Sequence, residues 1–324
     1  MGTSWNVDLA VTRSSHTTHA ATFTAPNASS WPNPGGSNPL LWVNKKKGFD
    51  ILFRAMSETL KEVAERRLKA KIAATSVLHT WGQTLTDHAH IHARVPGGGL
   101  GLDGTKWISC KQGYFLPTKV LAQVFRGKML QYLEQAHGKL TFVGRTSKYK
   151  DFSIFKSLLI DVARKQWIVY AKAPFAGPKQ VLEYLGNYTH RIAISNHRIE
   201  KIENEHVTFR YKDRADHNKP KAMTLHVTEF MRRFLLHVLP AKFVRIRHYG
   251  FLSPRSKKKN LELARQLLGA KETKKFQDED WKQTLERLTG QDVDQCPKCK
   301  TGKMIEVDTI RPHPKLCRKW RDSS

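Results

Sequence analysis

Three histidines within five residues, His88, His90 and His92, follow His79 across a short polar gap. In an extended chain successive side chains point to opposite faces, so His88, His90 and His92 share one face and Ile91 points the other way, toward a core. Two neutral imidazoles from such a run can grip one divalent ion, and a third ligand would complete a usable site. His79 is the candidate third ligand if the two segments pair as a hairpin; His88 and Gln83 are its rivals. The Gly97-Gly98-Gly99 triplet after the run lets backbone approach a ligand such as phosphate. Fifteen histidines in 324 residues also allow the plainer alternative of a solvated strand face.

A second cluster lies about ninety residues downstream. Tyr184 and Tyr188 are four residues apart in Lys179-Gln-Val-Leu-Glu-Tyr184-Leu-Gly-Asn-Tyr188-Thr-His190-Arg191, a helical stretch opened by Pro178, so both phenols project from one helix face. An aromatic stripe at this spacing can equally be core. Here Gly186, Asn187, His190 and Arg191 surround it with polar groups, which suits an exposed face near phosphate. A phenol, with a pKa around 10, is a weak nucleophile at neutral pH. Beside a metal that polarises a phosphate it can attack phosphorus, leaving a covalent phosphotyrosine and a free 3′-hydroxyl.

The elements that must position these groups can be read from periodicity. Phe49 to Leu68 carries apolar residues near the helical period of 3.6, which predicts an amphipathic helix. Ile72 to Trp81 and the histidine run to Val95 predict two strands of a hairpin. A helix is expected from about Thr118 to Ala136, another over Lys156 to Lys165, and a buried strand over Gln166 to Lys172. Two strands are expected between Ile192 and Lys212, a short strand at Thr224 to Val227, a helix over Glu229 to Leu239, and an alternating strand from Phe243 to Gly250. Residues 1 to about 40 are dense in Ser, Thr, Asn and Pro, and only Ala21 to Thr24 looks like strand. The expected organisation is an irregular N-terminal segment (1–43), a catalytic domain (44–215), a basic and DNA-binding extension (216–290) and a tail (291–324).

The charge narrows the partner. The chain carries 56 Lys and Arg against 28 Asp and Glu, a net +28, spread along its length, and nucleic acid is the default polyanion for such a field. Arg245 and Arg247 alternate with apolar residues and share a face with phosphate-binding potential, and Lys257 and Lys258 extend the patch. No run of eighteen apolar residues is present to span a bilayer, and no secretory signal is expected, so the expectation is a cytoplasmic protein with no membrane partner. Four cysteines do not make a disulfide framework. Cys296 and Cys299, in a CxxC followed by Thr-Gly-Lys, have the spacing of a zinc knuckle, with only His313 and Cys317 nearby to complete four ligands.

Taken together, the chain resembles the two-tyrosine rolling-circle transposases of the HUH endonuclease class, of the insertion-sequence 91 type. The resemblance runs from about Asn44 to Leu268 and rests on Val77 to Gln83, His88 to Leu100, Phe125-Arg-Gly-Lys128, Val169 to Phe175, Gly177 to Asn196 and Phe243 to Leu252. It implies an α+β fold, an antiparallel sheet with His90 and His92 on a central strand as the metal pair, and Tyr184 and Tyr188 on a packed helix as the nucleophiles. The implied activity is metal-dependent nicking and rejoining of single-stranded DNA, at element ends and target, in a bacterial cell, with Mg2+ or Mn2+ as the ion; Zn2+ is the candidate at the CxxC. Family members commonly begin with a cysteine-rich zinc-binding domain, and here no cysteine precedes Cys110, so that domain is expected to be missing. The alternatives are an inactive DNA-binding remnant and a metal-dependent hydrolase that uses water. Oligomeric state is left open.

Overall fold

The computed structural model describes residues 18–24, 39–111, 115–175, 193–213, 216–270, 280–290 and 292–305. The chain divides into two compact units, 1–271 and 272–324. Within the first, a five-stranded antiparallel sheet is built from β1 (Thr18–Thr24), β3 (Ala73–Trp81), β4 (Asp87–Pro96), β7 (Val169–Phe175) and β11 (Ile246–Gly250), in the order β11-β3-β4-β1-β7. The histidine strand β4 therefore lies at the centre. The architecture is α+β with antiparallel pairing, as expected.

One face of this sheet is dry. Ala89, Ile91, Ala93 and Val95 of β4, Ala21 and Phe23 of β1 and Leu78 of β3 are all buried, which is the alternation a half-buried strand requires. A short helix α1 (Pro39–Val43) leads into helix α2 (Lys45–Arg67), which with helix α3 (Thr118–Gln135) supplies the other side of the core. Phe49, Leu52, Phe53, Met56, Leu60 and Val63 recur at helical spacing along α2 and are buried, while α3 brings Phe125 edge-on to Phe23 with ring centroids 5.2 Å apart. The α2 entry is pinned by Asn44, whose amide donates to the carbonyl oxygens of Leu40 (3.0 Å) and Thr141 (2.9 Å) and accepts from the Thr141 N–H (2.7 Å). Helix α4 (Phe152–Arg164) starts at Asp151, whose carboxylate accepts from the N–H groups of Ser153 and Ile154, a standard N-cap.

Two smaller sheets accompany the first. Strands β8 (Ile199–Glu203), β9 (His206–Asp213) and β10 (Lys219–His226) form a meander, covered by α5 (Val227–Leu236), whose Phe230 meets Phe209 at 5.8 Å. The turn between β3 and β4 plugs into this layer through Leu85, which is fully buried. Strands β2 (Ala70–Lys71), β5 (Gly98–Gly101) and β6 (Trp107–Ser109) make the third sheet, against which α6 (Lys257–Leu267) packs Ala264. Among the described residues no helix is long and apolar enough to cross a membrane.

Two segments sit differently from their sequence reading. The strand inside the irregular N-terminal segment is not peripheral: β1 pairs with β4 on one side and β7 on the other. Likewise β11, read as part of a basic extension, is the edge strand beside β3. Gly98 and Gly99 also serve the fold and not a ligand. A Cβ on Gly98 would lie 2.5 Å from the Ile108 carbonyl oxygen, and one on Gly99 would lie 2.6 Å from that of Lys71. The close approach they permit is strand to strand.

His237, just after α5, ties the meander to the main sheet. Its Nε2–H donates to the Leu85 carbonyl (3.1 Å) and its Nδ1 accepts from the Thr80 hydroxyl (3.3 Å). Burial, with a smaller contribution from the Lys45 charge, pushes its pKa down to about 4. The unfolded chain therefore binds this proton more readily, so the stabilisation is complete above the unfolded pKa near 6.5 and is lost as pH falls toward 4. Urea unfolding should show wild type losing about 2 kcal/mol more than His237→Gln between about pH 7 and about pH 5. Equal losses in the two proteins would assign the acid sensitivity elsewhere.

The second unit holds α7 (Trp281–Thr289), capped by Asp280 in a capping box with Gln283 and ended by Gly290 in the left-handed conformation. A tight turn carrying Cys296 and Cys299 follows. Backbone N–H groups of Thr301 and Gly302 that donate to its sulfur hold the Cys299 thiol down to about 6.

Candidate functional site

Register brings the histidines together. His79 of β3 is the cross-strand partner of His90, and His92 pairs with Val77 on one side and Thr22 on the other. All of these side chains stand on the sheet face opposite α2 and α3. His79, His90 and His92 each offer a ring nitrogen, and these atoms lie within 4.8 Å of one another. His79 is thus the third member that geometry selects. His88 shares the face and its ring lies 4.6 Å from that of His90, yet it is not one of the converging three. Gln83 is elsewhere, its side-chain oxygen facing the Lys212 N–H at 3.5 Å and its carbonyl accepting from Arg198.

The neighbours of the imidazoles set which nitrogen faces inward. A carbonyl can only accept, so the 2.6 Å contact between His90 Nδ1 and the His88 carbonyl fixes the proton on Nδ1 and turns the Nε2 lone pair toward the cluster. His92 Nδ1 is held by the Thr22 hydroxyl at 3.1 Å, which likewise directs Nε2 inward. The two Nε2 atoms are 3.0 Å apart. Two donors each about 2.1 Å from one ion and at right angles to each other would be about 3 Å apart, so the pair fits a shared divalent ion. His79 is stacked on Trp81, with centroids 4.8 Å apart and planes 16° from parallel, and its ring centroid is 4.6 Å from that of His92. His79 and His90 are buried, so water competes poorly for the cluster. The arrangement can hold a divalent metal.

Removing the Thr22 hydroxyl should loosen the grip without dismantling it. Thr22→Val is expected to weaken Mn2+ binding by about 10- to 100-fold, the usual cost of losing a partner that orients a ligand. Isothermal titration reads this directly, and an unchanged affinity would remove Thr22 from the site.

The same face carries residues that sequence reading did not single out. His248 of β11 pairs with Thr75, whose hydroxyl meets His248 Nδ1 at 3.0 Å, and Thr75 pairs with Arg94 of β4. Parity was the available signal: Arg94 is in phase with His90 and His92, and His248 is out of phase with Arg245 and Arg247. Burial and the nearby Lys257 charge lower the His248 pKa. Lys257 and Lys258 open α6, with Lys258 exposed.

Arg247 departs from its sequence reading. It lies on the α2 side of the sheet, where it pairs with Asp50 at 2.5 Å and stacks over Phe53 (4.2 Å) and Phe243 (5.0 Å). Aromatic faces and a carboxylate claim its guanidinium for packing. Arg245 is half-buried, and that burial lowers its pKa. Tyr184, Tyr188 and Arg191 lie outside the described residues, as do His313 and Cys317.

A central histidine strand backed by an α+β core is the setting in which the comparisons fall. The family model Y2_Tnp, described as "Putative transposase", matches residues 73–260, which contain the whole cluster and the tyrosine pair. The chain belongs to this family of two-tyrosine, rolling-circle-type transposases. It is 45% identical over 276 residues to "Putative transposase y4qJ" of Sinorhizobium fredii, covering 83% of this chain and 69% of that protein. It is also 26% identical over 219 residues to "Transposase for insertion sequence element IS801" of Pseudomonas savastanoi pv. phaseolicola, covering 67% of this chain and 52% of that one. No solved structure matches the chain significantly.

Proposed function

We propose that this transposase nicks and rejoins single-stranded DNA through a tyrosine–DNA intermediate, with His79, His90 and His92 holding the divalent ion. The convergence of three imidazoles, two on the central strand β4 and one on its neighbour β3, is the observation that carries the reading. When bound, the ion supplies Lewis-acid stabilisation of the charge that builds on the non-bridging oxygens of the scissile phosphate. An all-imidazole donor set favours Mn2+ over the harder Mg2+.

The chain's own groups do the rest. His90 and His92 are preset by the His88 carbonyl and Thr22, so little reorganisation accompanies each turnover. Tyr184 or Tyr188 gives up its phenolic proton and forms a bond from its oxygen to phosphorus. The bond from phosphorus to the 3′-oxygen breaks, and that oxygen takes up a proton to become a free 3′-hydroxyl. The bond energy stays in the phosphotyrosine, and a later hydroxyl reverses the step on the same strand or a new one. Two tyrosines four residues apart allow two such strands to be held in turn. The basic groups Arg191, Arg245, Lys257 and Lys258 are assigned to the DNA backbone, a contact type that makes binding strongly salt-dependent; Arg247 is reserved for packing. The double variant Tyr184→Phe with Tyr188→Phe is expected to bind a single-stranded oligonucleotide at wild-type affinity and form no covalent adduct. Adducts retained in the double variant would refute the assignment. Binding without adduct in the wild type as well would identify an inactive remnant.

A further inference from the structure

Two basic runs far apart in sequence meet on the helix side of the main sheet. Residues 39–49 and 135–150 together hold seven Lys and Arg and no Asp or Glu. They are joined at Asn44, whose amide bonds to both the carbonyl and the N–H of Thr141, and Lys47 donates from Nζ to the Lys139 carbonyl. The His137 ring, 2.9 Å from the Tyr149 carbonyl, folds the turn Gly144–Lys150 back toward Lys139. Lys46, Lys47, Lys139, Arg145, Lys148 and Lys150 are all exposed. Lys45 is used differently: its Nζ lies over the Trp42 ring at 5.0 Å and donates to the Val238 carbonyl at 2.9 Å, and burial lowers its pKa.

Other basic groups of this protein are matched to carboxylates. Lys128 meets Glu62 at 2.9 Å, Arg210 meets Glu200 at 2.9 Å, and Lys221 meets Asp213 and Asp216 at 2.8 and 3.1 Å. Among the described residues no acidic group pairs with Lys46, Lys47, Lys139, Lys148 or Lys150. A surface of one sign repels itself, and its exposed heads gain no packing in return, so a polyanion laid across it relieves a cost the free protein bears. The patch borders the end of the sheet that carries the histidines: the Trp42 ring lies 6.0 Å from that of His237, which lies 6.1 Å from Trp81, the residue stacked on His79.

We propose that this patch binds the phosphate backbone of the single-stranded DNA that extends away from the histidine site, a contact surface additional to Arg245, Lys257 and Lys258. Backbone contacts of this kind are independent of sequence and fix the path of the strand. The family supplies DNA as the partner and the strand-transfer reading supplies its single-strandedness; neither metal nor tyrosine is needed for the contact itself.

Fluorescence anisotropy of a long labelled oligothymidylate on the full-length protein, in chelator so that no strand is cut, tests the patch across a salt series. Lys46→Gln with Lys47→Gln, and separately Lys148→Gln with Lys150→Gln, are each expected to lower the slope of log affinity against log salt by about 1.4, two contacts at about 0.7 each on a single strand. Binding at low salt should weaken at least about tenfold in each. Lys201→Gln with Lys219→Gln removes the same formal charge at lysines paired with Glu203 and Asp216, and is expected to leave the slope unchanged. An unchanged slope in the patch variants, or an equal fall in the control, would overturn the proposal. Wild type that binds no DNA would overturn the strand-transfer reading as well, whereas wild type that forms adducts while its slope ignores the patch would overturn this proposal alone.

Discussion

His90→Ala is expected to lower strand cleavage by roughly a thousandfold, about 4 kcal/mol of transition-state stabilisation, while single-stranded DNA binding is retained. His90 is paired across the ladder with His79 and lies 3.0 Å from His92 through Nε2, so its loss removes one of the three converging nitrogens. A chelator should reduce wild type to the level of the variant and have little further effect on the variant itself. That non-additivity separates a metal ligand from a residue that merely packs. Gel quantification of nicked product with and without Mn2+ reads both effects. A variant that cleaves at wild-type rate would remove His90 from the chemistry.

The second large effect is on stability. Phe23→Ala is expected to cost about 3–5 kcal/mol, as large-to-small changes of a buried aromatic do, seen as a drop in the urea midpoint at unchanged slope. Phe23 is completely buried, meets Phe125 edge-on, and lies between Ile91 and Val169 in the sheet. The change also disturbs Thr22, the next residue and the partner of His92, so Mn2+ affinity should fall in parallel. A loss below about 1 kcal/mol would mean that β1 is not an integral strand.

The histidine site was legible in the sequence because it is local. Alternation puts His90 and His92 on one face, and a hairpin with a short turn brings His79 across from them; both follow from strand periodicity. Helix α2 was legible for the same reason, since its apolar stripe repeats at the helical period. The centrality of β1 was not, because its partner on β4 lies 70 residues away, as Thr22 and His92 show, and pairing over such a span leaves no local trace. Arg247 illustrates a different gap. Alternation groups it with Arg245 but does not say which side of the sheet faces solvent, and Asp50 and Phe53 reach it only after α2 has docked. Gly98 and Gly99 read from sequence as positions where backbone approaches a ligand, and the β2-β5-β6 sheet takes the space instead. The tyrosine pair lies outside the described residues, so its place rests on spacing and on the family.

The central claim is tested most directly by mapping a covalent bond. Single-stranded DNA carrying the element's own ends, labelled toward its 3′ end, is incubated with the purified full-length protein and Mn2+, and the products are resolved under denaturing conditions and digested. The account predicts a protein-linked label that requires Mn2+ and maps to a peptide containing Tyr184 or Tyr188, with a free 3′-hydroxyl on the other fragment. Release of the label as a free 5′-phosphate fragment, or its attachment to any other residue, would contradict it.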